Sequence, residues 1–138
     1  MKYSAKQLVL IALLFMTTGM LLELYLLGHY EDNYQLIPLF GIAIALIISV
    51  VLNFRASKMI QNLFKLVLIL ISLSGIYGVY LHLQANFEFE KEIHPTLNNS
   101  SLFLESISGA LPTIAPLSLI VLALIGYTYL ILINQKEK

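Results

Sequence analysis

The sequence contains no cysteine and no tryptophan among its 138 residues, and only 12% of its residues are charged. Without cysteine, the chain has no disulfide, no thiolate metal site and no cysteine nucleophile. Without tryptophan, any aromatic belt at a membrane interface must be built from tyrosine and phenylalanine. The eight basic and eight acidic residues cancel. No overall charge therefore attracts the chain to nucleic acid, and we expect no nucleic-acid partner.

The residues that remain are mostly apolar. Apolar residues make up 59% of the chain, against about 45–50% in ordinary soluble domains. A helix that crosses a membrane needs about 20 mostly apolar residues, and four windows approach this length. We therefore predict an all-α membrane protein, a single transmembrane domain folded as a four-helix bundle in a lipid bilayer. The windows are about 8–28, 36–52, 63–83 and 114–133.

The first window follows two lysines, as the apolar part of a signal peptide does. Its apolar run is longer than the roughly 7–15 residues of a signal peptide, and no small-residue cleavage site follows it. We expect this window to be retained as a transmembrane helix.

If all four windows cross the membrane, most basic residues lie on one side of it and the histidines lie in the opposite half. All three histidines and most of the acids fall in the half that contains the loop at about 85–112. Because lysine and arginine concentrate in cytoplasmic loops, we predict cytoplasmic termini and an outer 85–112 loop, in a bacterial inner membrane. The basic residues on the predicted cytoplasmic side are Lys2, Lys6, Arg55, Lys58, Lys65, Lys136 and Lys138.

The outer loop at about 85–112 is long enough to carry its own structure. Ser100 or Ser101 is a suitable cap before the segment LFLESISG, and Gly109 and Pro112 favour a helix end soon after it. We predict a short helix between the third and fourth spans that lies in the membrane interface. Its apolar residues are Leu102, Phe103, Ile107 and Leu111.

The stretch NFEFEKEIHP, residues 86–95, supports two conformations. Its apolar and acidic residues alternate, which favours an extended segment with the three glutamates and His94 on one side. If the third helix continues instead, Glu90 and His94 share a face because they lie four residues apart. The proline after His94 limits how far such a helix can run.

Carboxylates and imidazoles gathered in the outer half are the ligand types of zinc, manganese, iron and copper. The leading hypothesis is therefore a divalent-metal site at the outer face. The alternative is that the acids need no ligand, because basic residues are simply kept in the cytoplasm. The predicted ligands are Glu90, His94, His82, Glu88 and Glu23, with His29 and Glu92 as further candidates.

Glu23 and His82 lie within the first and third windows. A carboxylate in lipid is costly, so we expect Glu23 to face the bundle and to find a partner there. A hydrogen bond to His82 would serve either helix packing or a buried acid–base pair. A haem held between His29 and His82 is a further alternative.

Small residues recur every four positions in the second and third windows, at Gly41, Ala45 and Ser49 and at Ser74 and Gly78. This spacing lets helices approach closely, either inside the bundle or in a homo-oligomer or larger membrane complex.

The sequence has no nucleotide-binding loop and no metalloprotease motif, so we favour a protein that is not an enzyme. Metal binding at the outer face is the first hypothesis, and an accessory subunit that docks through the outer loop and the small-residue stripes is the second. The third is a membrane-surface enzyme or a proton-coupled transporter that uses Glu23 and His82.

Overall fold

The computed structural model describes residues 3–135, and all of their regular secondary structure is helical. Four segments are long and apolar enough to cross a membrane, which confirms the four predicted helices. The predictions that concern Lys2, Lys136 and Lys138 lie outside the described residues. The elements are α1 (Ala5–Leu26), α2 (Asn33–Phe54), α3 (Lys58–Ile93), α4 (Asn99–Ile107), a 3-10 turn (Ala115–Leu117) and α5 (Ser118–Asn134).

The first three helices begin at polar residues whose side chains accept backbone N–H groups. Ser4 accepts from the Gln7 N–H, and the Gln7 side chain accepts from the Ser4 N–H, which forms a reciprocal capping box. Asp32 caps α2 by accepting the Gln35 N–H, and Ser57 caps α3 by accepting the Ile60 N–H. These caps start each helix a few residues before the apolar window begins.

The four long helices form an antiparallel bundle in which α1 and α3 are diagonally opposite. α1 packs on α2 and α5, and α3 packs on the same two helices. A three-residue connection between α2 and α3 is short enough to make these helices antiparallel neighbours. The centre of the bundle is filled by fully or almost fully buried apolar side chains, among them Leu13, Ile42, Phe64, Ile71 and Leu122.

A polar tie joins α3 and α5 where α3 begins and α5 ends. The Asn134 Nδ2 group donates to the Gln61 side-chain oxygen at 2.9 Å, and the Gln61 Nε2 group donates to the Ala56 carbonyl at 3.0 Å. We call this end of the bundle, which also holds the start of α1, the open end. The opposite end, which carries α4, is the capped end.

Helix α3 is much longer than its neighbours. It has 36 residues against 22 in α2, or about 54 Å against about 33 Å. The Tyr77 ring lies 5.9 Å from that of Tyr34 in the first turn of α2. Residues 78–93 of α3 therefore extend about 24 Å beyond the level at which α2 begins.

This continuation decides the conformation of the stretch NFEFEKEIHP. Residues 86–93 are helical, so the extended alternative is wrong. The helix ends at His94, whose N–H still donates to the Glu90 carbonyl. The ring of Pro95 disfavours helical backbone geometry at the residue before it, which explains why the helix stops there.

The small residues of α2 and α3 pack against other elements of the same chain. A Cβ at Gly41 would lie 3.0 Å from the Ile71 side chain, and a Cβ at Gly78 would lie 2.9 Å from Pro116. Ala45 and Ser49 are fully buried. These positions therefore contribute to packing inside the bundle.

We expect Gly75→Ala to destabilise the bundle by about 1–3 kcal/mol, the usual cost of overpacking. A Cβ at Gly75 would lie 2.7 Å from the Pro116 carbonyl oxygen. Gly19→Ala is the matched control, because a Cβ there meets nothing within 4 Å and alanine favours a helix over glycine. Thermal unfolding of all three proteins in the same detergent should show a lower midpoint temperature for Gly75→Ala than for the unmodified protein. Gly19→Ala should show no such decrease. Equal midpoints would contradict the close approach of α3 to the 3-10 turn.

Candidate functional site

The capped end carries a compact structure that we call the cap, residues 84–114. It consists of the last turns of α3, helix α4, and the connection from α4 to the 3-10 turn. α4 packs on α3, burying Leu102 and Ser106 on the side that faces it. α4 confirms the predicted loop helix, although its position in the membrane interface stays a prediction.

The N-cap of α4 is Asn98 and not Ser100 or Ser101 as predicted. The Asn98 Oδ1 atom accepts the Ser101 N–H at 2.9 Å. Asparagine is as good an N-cap as serine, so the sequence offers four suitable residues in succession, at positions 98–101.

Asn86 joins all parts of the cap, and its side chain is only 1% exposed. Its Nδ2 group donates to the Ser106 carbonyl at 2.9 Å, the Leu111 carbonyl at 2.8 Å and the Thr113 hydroxyl at 3.0 Å. Its Oδ1 atom accepts the Leu111 N–H at 2.8 Å. One amide thus holds α3, the end of α4 and the following connection together.

The residues around Asn86 fit this network closely. The Thr113 hydroxyl accepts from Asn86 and donates to the Ser106 carbonyl at 3.2 Å. A Cβ at Gly109 would lie 2.6 Å from the Asn86 side chain, so glycine is required for the chain to pass. Asn86 is not among the predicted site residues, although it lies at steps of four residues from both His82 and Glu90.

His82 is bound to the same connection. Its Nδ1 atom lies 3.0 Å from the Pro112 carbonyl oxygen. Because a carbonyl can only accept, the Nδ1 atom carries a proton in this contact. His82 therefore uses Pro112 as its partner, and the predicted hydrogen bond to Glu23 is wrong.

The prediction that Glu23 faces the bundle is wrong. Its side chain is exposed on the outward side of α1, and the partners of α1 are α2 and α5. The nearby Gly19 likewise has no neighbour within 4 Å. An acid–base pair of Glu23 and His82, the basis of the enzyme or transporter hypothesis, is not assembled.

His29 follows a turn that ends α1. Gly28 has a φ of 66°, the left-handed conformation that glycine adopts without strain. The Gly28 N–H donates to the Tyr25 carbonyl and the His29 N–H to the Leu24 carbonyl, the Schellman pattern of a helix end. Burial lowers the pKa of His29, the charge of His82 lowers it further, and Asp32 opposes both effects. A haem between His29 and His82 stays a prediction.

Among the predicted metal ligands, only Glu90 and His94 come together. The His94 Nε2 atom lies 3.9 Å from the Glu90 carboxylate. Glu88 instead accepts a hydrogen bond from Gln84 at 3.0 Å. Within residues 3–135, no group of three or more histidine, aspartate or glutamate side chains could hold a metal ion. The helical geometry of α3 turns Glu88 and Glu92 away from the face of Glu90.

Tyrosine rings gather at the level where the cap begins. Tyr77 lies between Tyr34 and Tyr80, with ring centroids 5.9 and 6.1 Å apart, and Tyr25 stacks on Tyr30 at 5.7 Å. Tyrosine rings at one end of the bundle suit an aromatic belt at a membrane interface.

The surface of the cap is both apolar and acidic. Phe103 and Leu104 on α4 are 47% and 66% exposed, and with Asn99 and Ser100 they line a shallow, open concavity. Glu88, Glu92 and Glu105 are exposed as well. These groups suit an interaction surface rather than an enclosed substrate site.

The fold and the cap define a class, a small four-helix bundle suited to a membrane, with a helical cap at one end. Comparison with protein family models, with curated proteins and with solved structures gave no match. The function must therefore be argued from the site itself.

We expect Asn86→Ala to release α4 from α3 while the bundle stays folded. The substitution leaves the part-buried Leu111 N–H and the Ser106 carbonyl without the Asn86 amide, at a cost of about 2 kcal/mol. Hydrogen exchange of the α4 amides should then accelerate by roughly thirtyfold.

Asn99→Ala is the control for this measurement, because Asn99 is an exposed asparagine on α4 itself. Its α4 amides should exchange at the rate of the unmodified protein. Unchanged exchange in Asn86→Ala would show that the amide network does not hold the cap.

Proposed function

We propose that the protein is a non-catalytic membrane subunit that docks a partner protein through its cap. The observation that carries this proposal is the Asn86 network, which fixes α3, α4 and the following connection relative to one another. A surface held rigid before binding loses little conformational freedom when a partner docks. The exposed apolar residues of the cap, such as Phe103 and Leu104, supply the kind of contact that stabilises protein interfaces.

The charge distribution supports an outer location for the cap. Among residues 3–135, the basic residues near the open end are Lys6, Arg55, Lys58 and Lys65, whereas Lys91 is the one basic residue of the cap. Under the positive-inside rule the open end is cytoplasmic. In a bacterial inner membrane, the cap would then face the periplasm, and its partner would be a protein exposed there.

A photo-crosslinking amino acid at Leu104 tests the proposal in cells. We expect one adduct of defined mass from this position, because Leu104 is 66% exposed on the cap. The same group at Phe54, 82% exposed at the open end, is the control and should not give this adduct. Adding Asn86→Ala should abolish the adduct by loosening the cap.

Two results would count against docking through the cap. One is the absence of any adduct from Leu104 in cells that express the protein at its natural level. The other is the same adduct from Leu104 and Phe54, which would indicate random collision in the membrane.

A divalent metal ion on the cap is the second candidate, and the pair Glu90–His94 favours it. Their side chains are 3.9 Å apart, with the Glu90 side chain 16% exposed and the His94 side chain 52% exposed. A carboxylate and an imidazole at this separation suit zinc, manganese, iron or copper, with water completing the coordination. Because His94 ends α3, a small rotation of its side chain would bring both groups to one ion.

Elemental analysis of protein purified in mild detergent without chelator tests the metal site. About one equivalent of a transition metal is expected if Glu90 and His94 bind it, with loss of that metal in His94→Ala and in Glu90→Gln. Glu92→Gln is the matched control, because it removes a carboxylate from the exposed side of the same helix. No bound metal after incubation with zinc, manganese, iron or copper would exclude this candidate.

A further inference from the structure

The projecting part of α3 has an outward face with two adjacent rows of side chains. Ala85, Phe89 and Ile93 form an apolar row at steps of four residues, and Glu88 and Glu92 form an acidic row beside it. All five residues are exposed, with Phe89 at 47% and Ile93 at 51%. We call this surface the acidic–apolar face. α4 packs elsewhere on α3, where Asn86 is buried.

Lipid cannot cover this face if the bundle crosses a membrane at its tyrosine belt. Phe89 and Ile93 lie 12 and 16 residues beyond Tyr77, which is about 18 and 24 Å along the helix. The headgroup layer on each side of the hydrocarbon core is only about 5–7 Å thick. A typical helix tilt of about 20° shortens these heights by less than a tenth, so both side chains stand in water.

A second copy of the chain is a poor occupant of the same face. Two copies with the same orientation in a membrane pair about an axis along the membrane normal, and their α3 helices then run parallel. Symmetry would place Glu88 against Glu88 and Glu92 against Glu92 of the two copies. Such like-charge contacts disfavour association. Lys91 lies on the side of the acidic row that is away from the apolar row. One lysine there cannot neutralise the repulsion at both glutamate contacts.

We infer that the acidic–apolar face binds a helix of a partner protein that carries an apolar seam flanked by lysine or arginine. The inference rests on the proposed docking function and names the chemistry of the partner. An apolar row at steps of four residues matches the seam of a partner helix. The neighbouring carboxylates at the same steps match basic residues on the rim of that seam, as in helix pairs whose flanking charges select the partner.

Charge at the rim and apolar contact at the centre have separate consequences for binding. The contacts to Glu88 and Glu92 are solvent-exposed, so they should chiefly accelerate association and weaken as salt is added. The contact to Phe89 excludes water from an aromatic side chain, so its loss should chiefly accelerate dissociation.

The test uses the full-length protein in nanodiscs of zwitterionic phosphatidylcholine and a fluorescent amphipathic helix of leucine and lysine as the probe. Fluorescence anisotropy should show binding above that of empty nanodiscs, and a peptide with glutamate in place of lysine should not bind. The double variant Glu88→Lys/Glu92→Lys should lose roughly tenfold in affinity at low salt. Phe89→Ala should lose about tenfold as well.

Matched variants separate this face from the rest of the acidic surface. Glu31→Lys makes the same change in net charge as Glu92→Lys alone, at an exposed carboxylate outside the cap. Phe54→Ala removes a phenylalanine that is 82% exposed at the open end. Both controls should bind the lysine peptide as the unmodified protein does.

Three results would overturn the inference. They are binding no stronger than to empty nanodiscs, equal loss in Glu31→Lys and Glu92→Lys, and a dimer of the protein that Glu88→Lys/Glu92→Lys dissociates. A crosslinked partner from Leu104 together with a failed peptide assay would overturn the chemistry of the face while the docking function stands. No crosslink and no peptide binding would overturn both.

Discussion

The architecture of the capped end depends on one buried amide. Asn86 lies on the projecting part of α3 and makes four hydrogen bonds to backbone and hydroxyl groups of residues 106–113. The Ser106 carbonyl lies at the end of α4. The other groups lie in a connection without regular structure, where backbone donors and acceptors have no helical partners. Burying them unpaired would cost free energy at each group. Asn86 satisfies them together, and this lets an irregular segment pack against α3 and position Pro112 for His82.

The acidic stretch after Asn86 owes its arrangement to the length of α3. The helix continues to Ile93. Its side chains therefore return to the same side of the chain every 3.6 residues, and not every two residues as in a strand. The Glu90 side chain is only 16% exposed, while Glu88 and Glu92 fall on the exposed side with Phe89. The same composition as an extended strand would have put all three carboxylates on one side. Helical geometry thus distributes the three carboxylates around α3 instead of gathering them on one side.

The ionisable residues within the spans are separated by the packing order of the helices. α1 and α3 are diagonal in the bundle, since each packs on α2 and α5. Glu23 on α1 is therefore turned outward, and His82 on α3 turns to the chain's own connection at Pro112. The glycines that bring α3 against the 3-10 turn make this arrangement possible, because a Cβ at Gly75 or Gly78 would meet Pro116.

The sequence by itself determined the number and the approximate limits of the long helices. Long apolar runs have one low-energy conformation in lipid, and polar caps such as Ser4 and Asp32 mark helix starts through local hydrogen bonds. The tertiary structure alone decided the role of Asn86, the direction of Glu23 and the partner of His82. Each of these depends on contacts between residues distant in sequence, such as Asn86 with Leu111, which no local period or spacing encodes. The strand-like alternation after Asn86 misled for the same reason, since the packing of α4 on α3 helps to hold that segment as a helix.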